Sequence, residues 1–239
     1  MATESNDIRN AVLLRCAEAQ EKIRAACAAC GRDPAGVTLM AVTKTVDPVL
    51  VNTAVSAGIR VLGENRVQEY LSKRDAYDPA AEVQFIGHLQ TNKVRQIVGS
   101  VTLIHSVDSL HLAEAVEKAA AAKQIVQPVL LEVNAAGEAT KSGADPRFLP
   151  DLLRQVMAMP HLEVKGLMTI PPPVAHESEA DAMFAQIAAL HQKLQQIAPL
   201  PLLSMGMSGD YISAVRHGST MVRLGSALFG PRIYPQKGI

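Results

Sequence analysis

"LMAVTKTV", residues 39–46, carries the pattern that decides the fold. Apolar and small residues typical of a buried strand run up to a lysine, Lys44, at the point where the strand should end. Comparable short apolar runs recur along the whole chain, and together they predict eight strands. The predicted strands are residues 37–43, 59–63, 83–87, 101–107, 127–134, 163–170, 201–205 and 220–225.

Helical stretches separate these strands. A long opening helix is predicted over residues 5–30, and apolar residues recur at spacings of three and four over residues 109–123 and 178–198. Alternating strands and helices imply parallel pairing in a sheet that is buried on both faces. The sequence therefore predicts an α/β fold, a single (β/α)8 TIM barrel with an extra N-terminal helix; a doubly wound open sheet is the structural alternative.

Local signals at the junctions support this division. Asp47-Pro48 places a capping acceptor before a proline at a first helical position. Asn65 and Gln68 have the spacing of a capping box, and Gly218 stands where a helix should stop. We therefore expect helices to begin after Asp47 and Asn65 and one to end before Gly218.

Length and charge narrow the class of protein. The chain has 239 residues, which suits one domain spanning 1–239. Lysine plus arginine (23) balances aspartate plus glutamate (23), so no overall field favours nucleic acid or an acidic membrane. The polar N-terminus and the lack of any apolar run of membrane-spanning length predict a soluble cytoplasmic protein. Its three cysteines lie within the first thirty residues, so no four-ligand zinc site is expected.

Lys44 is the first candidate for chemistry. In a barrel of this class the active site is built at the carboxyl ends of the strands, which is where Lys44 lies. One interpretation is a lysine that extends its charged end into solvent. The other is an amine that attacks an aldehyde. Position alone does not choose between them.

The far end of the chain suggests an anion site. The loops after the seventh and eighth strands, residues 204–210 and 223–230, are rich in glycine and serine, and barrels often bind phosphate there. Ser208 and Ser226 are predicted at helix starts, where main-chain N–H groups are free. Alternatively, Ser208 only caps its helix and Gly225 only turns the chain.

Barrel closure makes the first strand a neighbour of the eighth, so the amine and the anion site can hold two ends of one small molecule. An aldehyde that carries a phosphate fits both. Pyridoxal 5'-phosphate (PLP) is the first candidate, and a sugar phosphate in a lysine-dependent aldolase is the competing one.

The same residues resemble a known family. Eight ordered blocks, spanning residues 41 to 230, are similar to the pyridoxal phosphate homeostasis proteins, also called the YggS or PROSC family. The blocks are AVTKTV (41–46), LGENRVQE (62–69), FIGHLQTNK (85–93), HSVDS (105–109), GEATKSG (137–143), GLMTI (166–170), LSMGMSGDYISAV (203–215) and GSTMVRLGSALFG (218–230).

This resemblance implies a barrel like the N-terminal domain of alanine racemase (fold type III), with PLP in Schiff-base linkage to Lys44. It also implies an arginine, Arg223, close to the cofactor, facing either its phosphate or its pyridine nitrogen. A cation at the ring nitrogen would disfavour ring protonation and weaken the electron sink. The residues implied to hold the phosphate are Ser204, Gly206, Ser208, Gly225 and Ser226.

Two further cofactor-site candidates are Asn65 and His88. Asn65 contacts the ring or caps the helix after the second strand. His88, just past the third strand, orients ring substituents or is a neutral histidine bonded to a loop carbonyl.

The residues favour a carrier over an enzyme. A racemase needs a second acid or base on the face of the cofactor away from the lysine; in alanine racemases a tyrosine from a partner subunit's separate domain supplies it. A chain of this length is expected to lack that domain, and its tyrosines (Tyr70, Tyr77, Tyr211 and Tyr234) fall in helical segments or the tail. We therefore expect a monomeric PLP carrier for vitamin B6 homeostasis, with hand-over to PLP-dependent apoenzymes as a hypothesis; a racemase or an aldolase is the alternative.

Overall fold

Eight parallel strands close into a barrel in the computed structural model, which describes residues 2–135, 142–172 and 176–231. Each strand pairs with the next one along the chain, and the eighth pairs back with the first, with Met40 opposite Arg223. The (β/α)8 prediction is confirmed, and the open-sheet alternative is wrong. The strands are β1 Thr38–Val42, β2 Val61–Glu64, β3 Glu82–Phe85, β4 Leu103–Val107, β5 Gln127–Val133, β6 Leu162–Thr169, β7 Leu202–Met207 and β8 Met221–Leu224.

Helices alternate with these strands in the predicted order. The extra N-terminal helix is present as α1, and a helix follows every strand. The helices are α1 Ala2–Ala29, α2 Pro48–Ser56, α3 Val67–Lys73, α4 Val94–Ile97, α5 Leu110–Ala122, α6 Leu149–Met157, α7 Glu177–Leu194, α8 Tyr211–Arg216 and α9 Ser226–Phe229. Short 3-10 turns lie at Pro34–Gly36, Arg74–Ala76 and Thr91–Lys93.

Most strand ends differ from the predicted ones by one or two residues, and two of these differences have a visible cause. β1 stops at Val42 because Thr43 already belongs to a turn, which the Val46 N–H closes by donating to the Thr43 carbonyl at 3.0 Å. β7 continues to Met207, two residues beyond its predicted end, because Met207 still pairs with Arg223 of β8.

Some of the predicted helix starts and ends are confirmed, and others are wrong. The Asp47 carboxylate accepts the Val49 N–H at 2.8 Å, which confirms this cap, and Gly218 (φ +92°) lies just beyond the end of α8. The Asn65 cap is wrong: α3 begins at Val67, and Arg66 precedes it without a side-chain cap. The predicted helix start at Ser208 is also wrong, because α8 begins at Tyr211.

The apolar core has two layers. On β1, Met40 and Val42 point into the barrel, where they pack with Ile86 and Met221, whereas Ala41 packs outward against the helices. This alternation follows from the two-residue period of a strand. Both layers are apolar because the strands of a closed parallel barrel have no solvent-facing side.

The N-terminal helix α1 packs beside the end of the chain. It contacts α8 and α9 as well as α2. Arg32, just past α1, donates to the carbonyl of Val215 and, at 2.9 Å, to that of Ser219. The helix is thereby tied to the segment between β7 and β8. Among the helices in the described ranges, none combines the length and apolar character needed to cross a membrane.

Candidate functional site

A cavity of about 260 Å³ opens at the carboxyl ends of the strands. Its volume is close to the lower end of the range for small-molecule sites, about 300–1,000 Å³. It brings together six of the nine predicted site residues. Its lining is Val42, Lys44, Asn65, Ile86, Ile170, Met207, Ser208, Gly209, Arg223, Gly225 and Ser226.

A larger cavity, of about 460 Å³, lies at the opposite end of the barrel. It is bounded by α1 and by the segments where β1 and β2 begin, and its lining includes Arg24 and Arg60. We take the smaller cavity as the functional site because it lies at the carboxyl ends of the strands, where barrels build their active sites.

Lys44 lines this cavity from the end of β1. It is half-buried and lies two residues after Val42, whose side chain points into the barrel. Although Lys44 belongs to the turn beyond β1, its residue still forms part of the cavity lining. The interpretation of Lys44 as a lysine directed only into solvent does not fit this position.

Main-chain N–H groups converge on one oxygen atom on the other side of the cavity. The N–H groups of Gly225 and Ala227 both donate to the Ser208 hydroxyl, at 3.3 and 3.2 Å. Ser208 thus belongs to the loop after β7 and meets the loop after β8, although it begins no helix. Ser226 is the first residue of α9, as predicted.

Arg223 is fixed at the cavity by two hydrogen bonds. Its Nη1 donates to the Ser204 hydroxyl and its Nη2 to the Thr169 carbonyl, each at 2.7 Å. Burial lowers the pKa of Arg223 from its ordinary value to about 10, against the opposing effects of Asp210 and Glu132. The guanidinium therefore remains charged at neutral pH and supplies a permanent local cation.

Three predicted site residues do not line the cavity. Ser204 is fully buried and accepts from Arg223. Gly206 lies in β7 with φ +95°, and an added Cβ would come within 2.5 Å of the Ala214 Cβ, so this glycine permits the close approach of α8. The His88 side chain is 59% exposed, and its Nδ1 lies 3.9 Å from the Asp108 carboxylate.

A buried acid, Glu132, was missed from the sequence. It lies two residues after Leu130, whose side chain packs inside the barrel, so Glu132 points into the same interior. Burial raises the pKa of Glu132 from 4.5 to about 7; Asp108 adds to this rise and Arg223 opposes it. The sequence does contain a signal for Glu132, because this single acid interrupts the apolar run of β5. Lys44 was noticed for a similar reason, since it ends the apolar run of β1.

His105 is a second buried polar group in the interior. Its Nε2 lies 2.7 Å from the Gln84 side-chain oxygen, so Nε2 is the protonated nitrogen. Burial, with a contribution from Arg223, holds the pKa of His105 well below its usual value. The ring is therefore neutral, and Arg223 supplies the positive charge that acts on Glu132.

Some of the sequence signals fall outside the described residues. Most of the block at 137–143 is among them, since the description resumes at residue 142. Tyr234 is among them as well.

Comparison with known proteins gives consistent matches. The family model for the N-terminal domain of alanine racemase matches residues 15–233. A pyridoxal phosphate homeostasis protein of Aquifex aeolicus (strain VF5) is 43% identical over 217 residues, covering 90% of this chain and 95% of that protein. The protein of the same name in Escherichia coli (strain K12) is 36% identical over 226 residues, covering 92% of this chain and 97% of that protein.

Solved structures agree with these matches. PipY of Synechococcus elongatus, solved with PLP bound, is 34% identical with a TM-score of 0.79, and the match covers 92% of this chain and 100% of that one. An alanine racemase from Corynebacterium glutamicum has a TM-score of 0.70 at 17% identity, covering 96% of this chain and 63% of that one. The second likeness concerns the fold alone.

Glu132 predicts a pH dependence of stability. An acid whose pKa is raised on folding contributes stability that is present below its unfolded pKa and lost as the pH rises through its folded pKa. For Glu132 this window runs from 4.5 to about 7. We expect Glu132→Gln to gain about 2–3 kcal/mol over the wild type between pH 4.5 and pH 8.

Urea denaturation at the two pH values measures this change in the free energy of unfolding. Glu114→Gln, which removes an exposed carboxylate of α5, is the matched control and should follow the wild type. Parallel pH profiles of Glu132→Gln and the wild type would contradict the assignment.

Proposed function

Since this chain belongs to the pyridoxal phosphate homeostasis protein family, we propose that it reversibly binds pyridoxal 5'-phosphate and serves intracellular vitamin B6 homeostasis. The observation that carries the proposal is the juxtaposition, across one cavity of about 260 Å³, of the Lys44 amine and the N–H groups that converge on Ser208. A molecule with an aldehyde at one end and a phosphate at the other matches this arrangement.

The residues present fit such a cofactor. The N–H groups of Gly225 and Ala227 already meet a shared oxygen, so the main chain there is suited to phosphate oxygens. Apolar side chains also line the cavity that contains Lys44 and Gly225. Such side chains suit the faces of an aromatic ring. These side chains are Val42, Ile86, Ile170 and Met207.

Each polar residue of the cavity has a role in the proposal. Lys44 would hold the aldehyde through a covalent bond, while Ser208, Gly225 and Ser226 would hold the phosphate. Asn65 lines the cavity just past β2 and would border the ring. Arg223 would contribute positive charge beside the ring or the phosphate. When bound, the cofactor supplies an electrophilic aldehyde and an electron-withdrawing ring.

Ser204 and Gly206 act less directly in the same proposal. Ser204 fixes Arg223 through its hydroxyl, and Gly206 lets α8 approach the loop that presents Ser208. His88 stays a predicted cofactor-site residue; its exposed side chain lies near Asp108 and does not line the cavity.

We further propose that the bound cofactor is held without catalytic turnover. Racemisation needs an acid or base on the face opposite the lysine. Among the residues that line the cavity in the described structure, Lys44 and Arg223 are the titratable ones. The three described tyrosines lie elsewhere: Tyr70 donates to the Ser100 carbonyl, Tyr77 donates to Glu64, and Tyr211 is buried at the start of α8.

The proposal takes the whole chain, 1–239, as one PLP-binding barrel domain. A monomeric state and a cytoplasmic location stay predictions. Light scattering on the purified protein measures the first, and fractionation of cells measures the second.

Covalent trapping tests the cofactor assignment. We expect borohydride reduction of the protein with PLP, followed by peptide mapping, to place a pyridoxyl group on Lys44. Lys44→Ala should lose both the adduct and the visible absorption, because no other amine lines the described cavity. Lys118→Ala, which removes an exposed lysine of α5, should retain both. Wild-type protein that stays colourless with PLP and carries no pyridoxyl group after reduction would contradict the proposal.

A turnover assay separates the carrier from the racemase. With PLP bound, we expect no racemisation of L-alanine or other amino acids above the rate of free PLP, for want of a second acid or base. Chiral chromatography measures the products. Racemisation that depends on Lys44 would contradict the non-catalytic role while leaving the cofactor assignment intact. A colourless protein that cleaves sugar phosphates would favour the aldolase.

Hand-over to apoenzymes is the last part of the proposal. We expect loaded protein to reactivate a PLP-dependent apoenzyme faster than the same amount of free PLP. Enzyme activity followed over time measures the rate, and the unloaded protein serves as the control. Equal rates from loaded protein and free PLP would remove this part.

A further inference from the structure

Lys44 lies in a tight turn with a strained residue next to it. The turn spans residues 43–46 and is closed by the Val46 N–H, which donates to the Thr43 carbonyl at 3.0 Å. Thr45, at the third position, has φ +62°. That position usually takes glycine or asparagine when φ is positive, and a β-branched residue is strained there. Such strain persists only when the surroundings hold it.

Two side chains of α3 stabilise the strained turn. The Glu69 carboxylate accepts the main-chain N–H of Thr45. The Lys73 ammonium donates to the same carboxylate oxygen at 2.5 Å and to the Thr43 carbonyl at 3.3 Å. The ion pair therefore contacts the main chain on both sides of Lys44.

This ion pair is better shielded than a typical surface pair. The side chains of Glu69 and Lys73 are 17% and 16% exposed, and both also bond to main chain. Burial opposes ionisation of Glu69, but the hydrogen bonds from Lys73 and from the Thr45 N–H outweigh it, so its pKa lies below the ordinary value. The carboxylate is therefore charged at neutral pH, and charge-assisted hydrogen bonds are the stronger kind.

A deeper contact fixes the beginning of the same turn. The Thr43 hydroxyl donates to the buried Glu64 carboxylate at 2.7 Å, and Tyr77 donates to the same oxygen. Thr43 is thus tied to β2 independently of α3. The strained half of the turn, at Thr45, depends on Glu69.

We propose that Glu69 and Lys73 are positioning residues for Lys44: their ion pair keeps the turn in its left-handed conformation and thereby directs the amine into the cavity. The inference rests on the proposed role of Lys44 in holding an aldehyde. Neither residue lines the cavity, so both act through the main chain.

Rescue by glycine is the sharpest test. Glu69→Met removes the acceptor at similar length, and we expect PLP affinity and the rate of borohydride-trapped adduct formation to fall about tenfold. Glu69→Gln keeps an oxygen for the Thr45 N–H and should lose less. Because glycine adopts positive φ without strain, the double variant Glu69→Met/Thr45→Gly should return to within about threefold of Thr45→Gly alone.

A second test variant, a control variant and a stability measurement separate the positioning role from loss of folding. Lys73→Met releases the Thr43 carbonyl and weakens the same turn, so it should reduce adduct formation in the same direction. Glu21→Met breaks the exposed pair of Glu21 with Arg24 on α1 and should bind as the wild type does. Urea denaturation of each variant separates loss of fold from loss of binding.

The outcomes distinguish this inference from the proposed function. Wild-type protein without an adduct on Lys44 would end the proposed function itself. Wild-type labelling with unchanged labelling of Glu69→Met would overturn the positioning role alone. Weakened binding that glycine at position 45 does not restore would also overturn it, since Glu69 would then act through its charge. Restoration by Thr45→Gly supports the role.

Discussion

Pairing of β1 with β8 is the constraint on which the rest of the molecule depends. Lys44 and Gly225 are 181 positions apart in the chain of 239 residues. They border one cavity because Leu39, Met40 and Ala41 pair in register with Val222, Arg223 and Leu224. An open sheet with the same strand order would leave these segments at opposite edges. The site exists because the barrel closes, and the closure is stabilised by apolar packing on both faces of every strand.

The interior of the barrel combines this packing with buried charge. Arg223 is 3% exposed and keeps its charge because Ser204 and Thr169 satisfy two of its N–H groups. Glu132 points into the same interior, where it interacts with Arg223 and with Asp108, which lies just past the end of β4. Burying such groups is unfavourable unless they are paired. The barrel therefore keeps buried charged side chains in its interior, where apolar side chains would make the fold more stable. Buried charges of this kind are typical of a binding site.

The sequence predicted the fold, and it singled out Lys44 and the glycine-rich loops that border one cavity in the structure, because these patterns are local in the chain. Eight apolar runs predict eight strands, and a lysine at a strand end or a glycine-rich loop is visible without a structure. The helix starts predicted at Asn65 and Ser208 were wrong because α3 and α8 begin two and three residues later, at Val67 and Tyr211, without a side-chain cap. The contacts of Glu69 and Lys73 with the turn at Lys44 could not be predicted from the sequence. They are tertiary contacts that join α3 to the segment after β1.

The two ends of the cavity are built in physically different ways, and this bears on how a ligand is held. The end at Ser208, where we propose that the phosphate binds, presents the main-chain N–H groups of Gly225 and Ala227, whose positions are set by the fold. The amine end is one side chain on a strained turn, so its direction depends on a few contacts of α3. In the proposed function, the main chain provides retention of the phosphate, and the lysine provides a bond that forms and breaks. A carrier needs both, because retention alone selects no aldehyde and a covalent bond alone leaves the anionic end unheld.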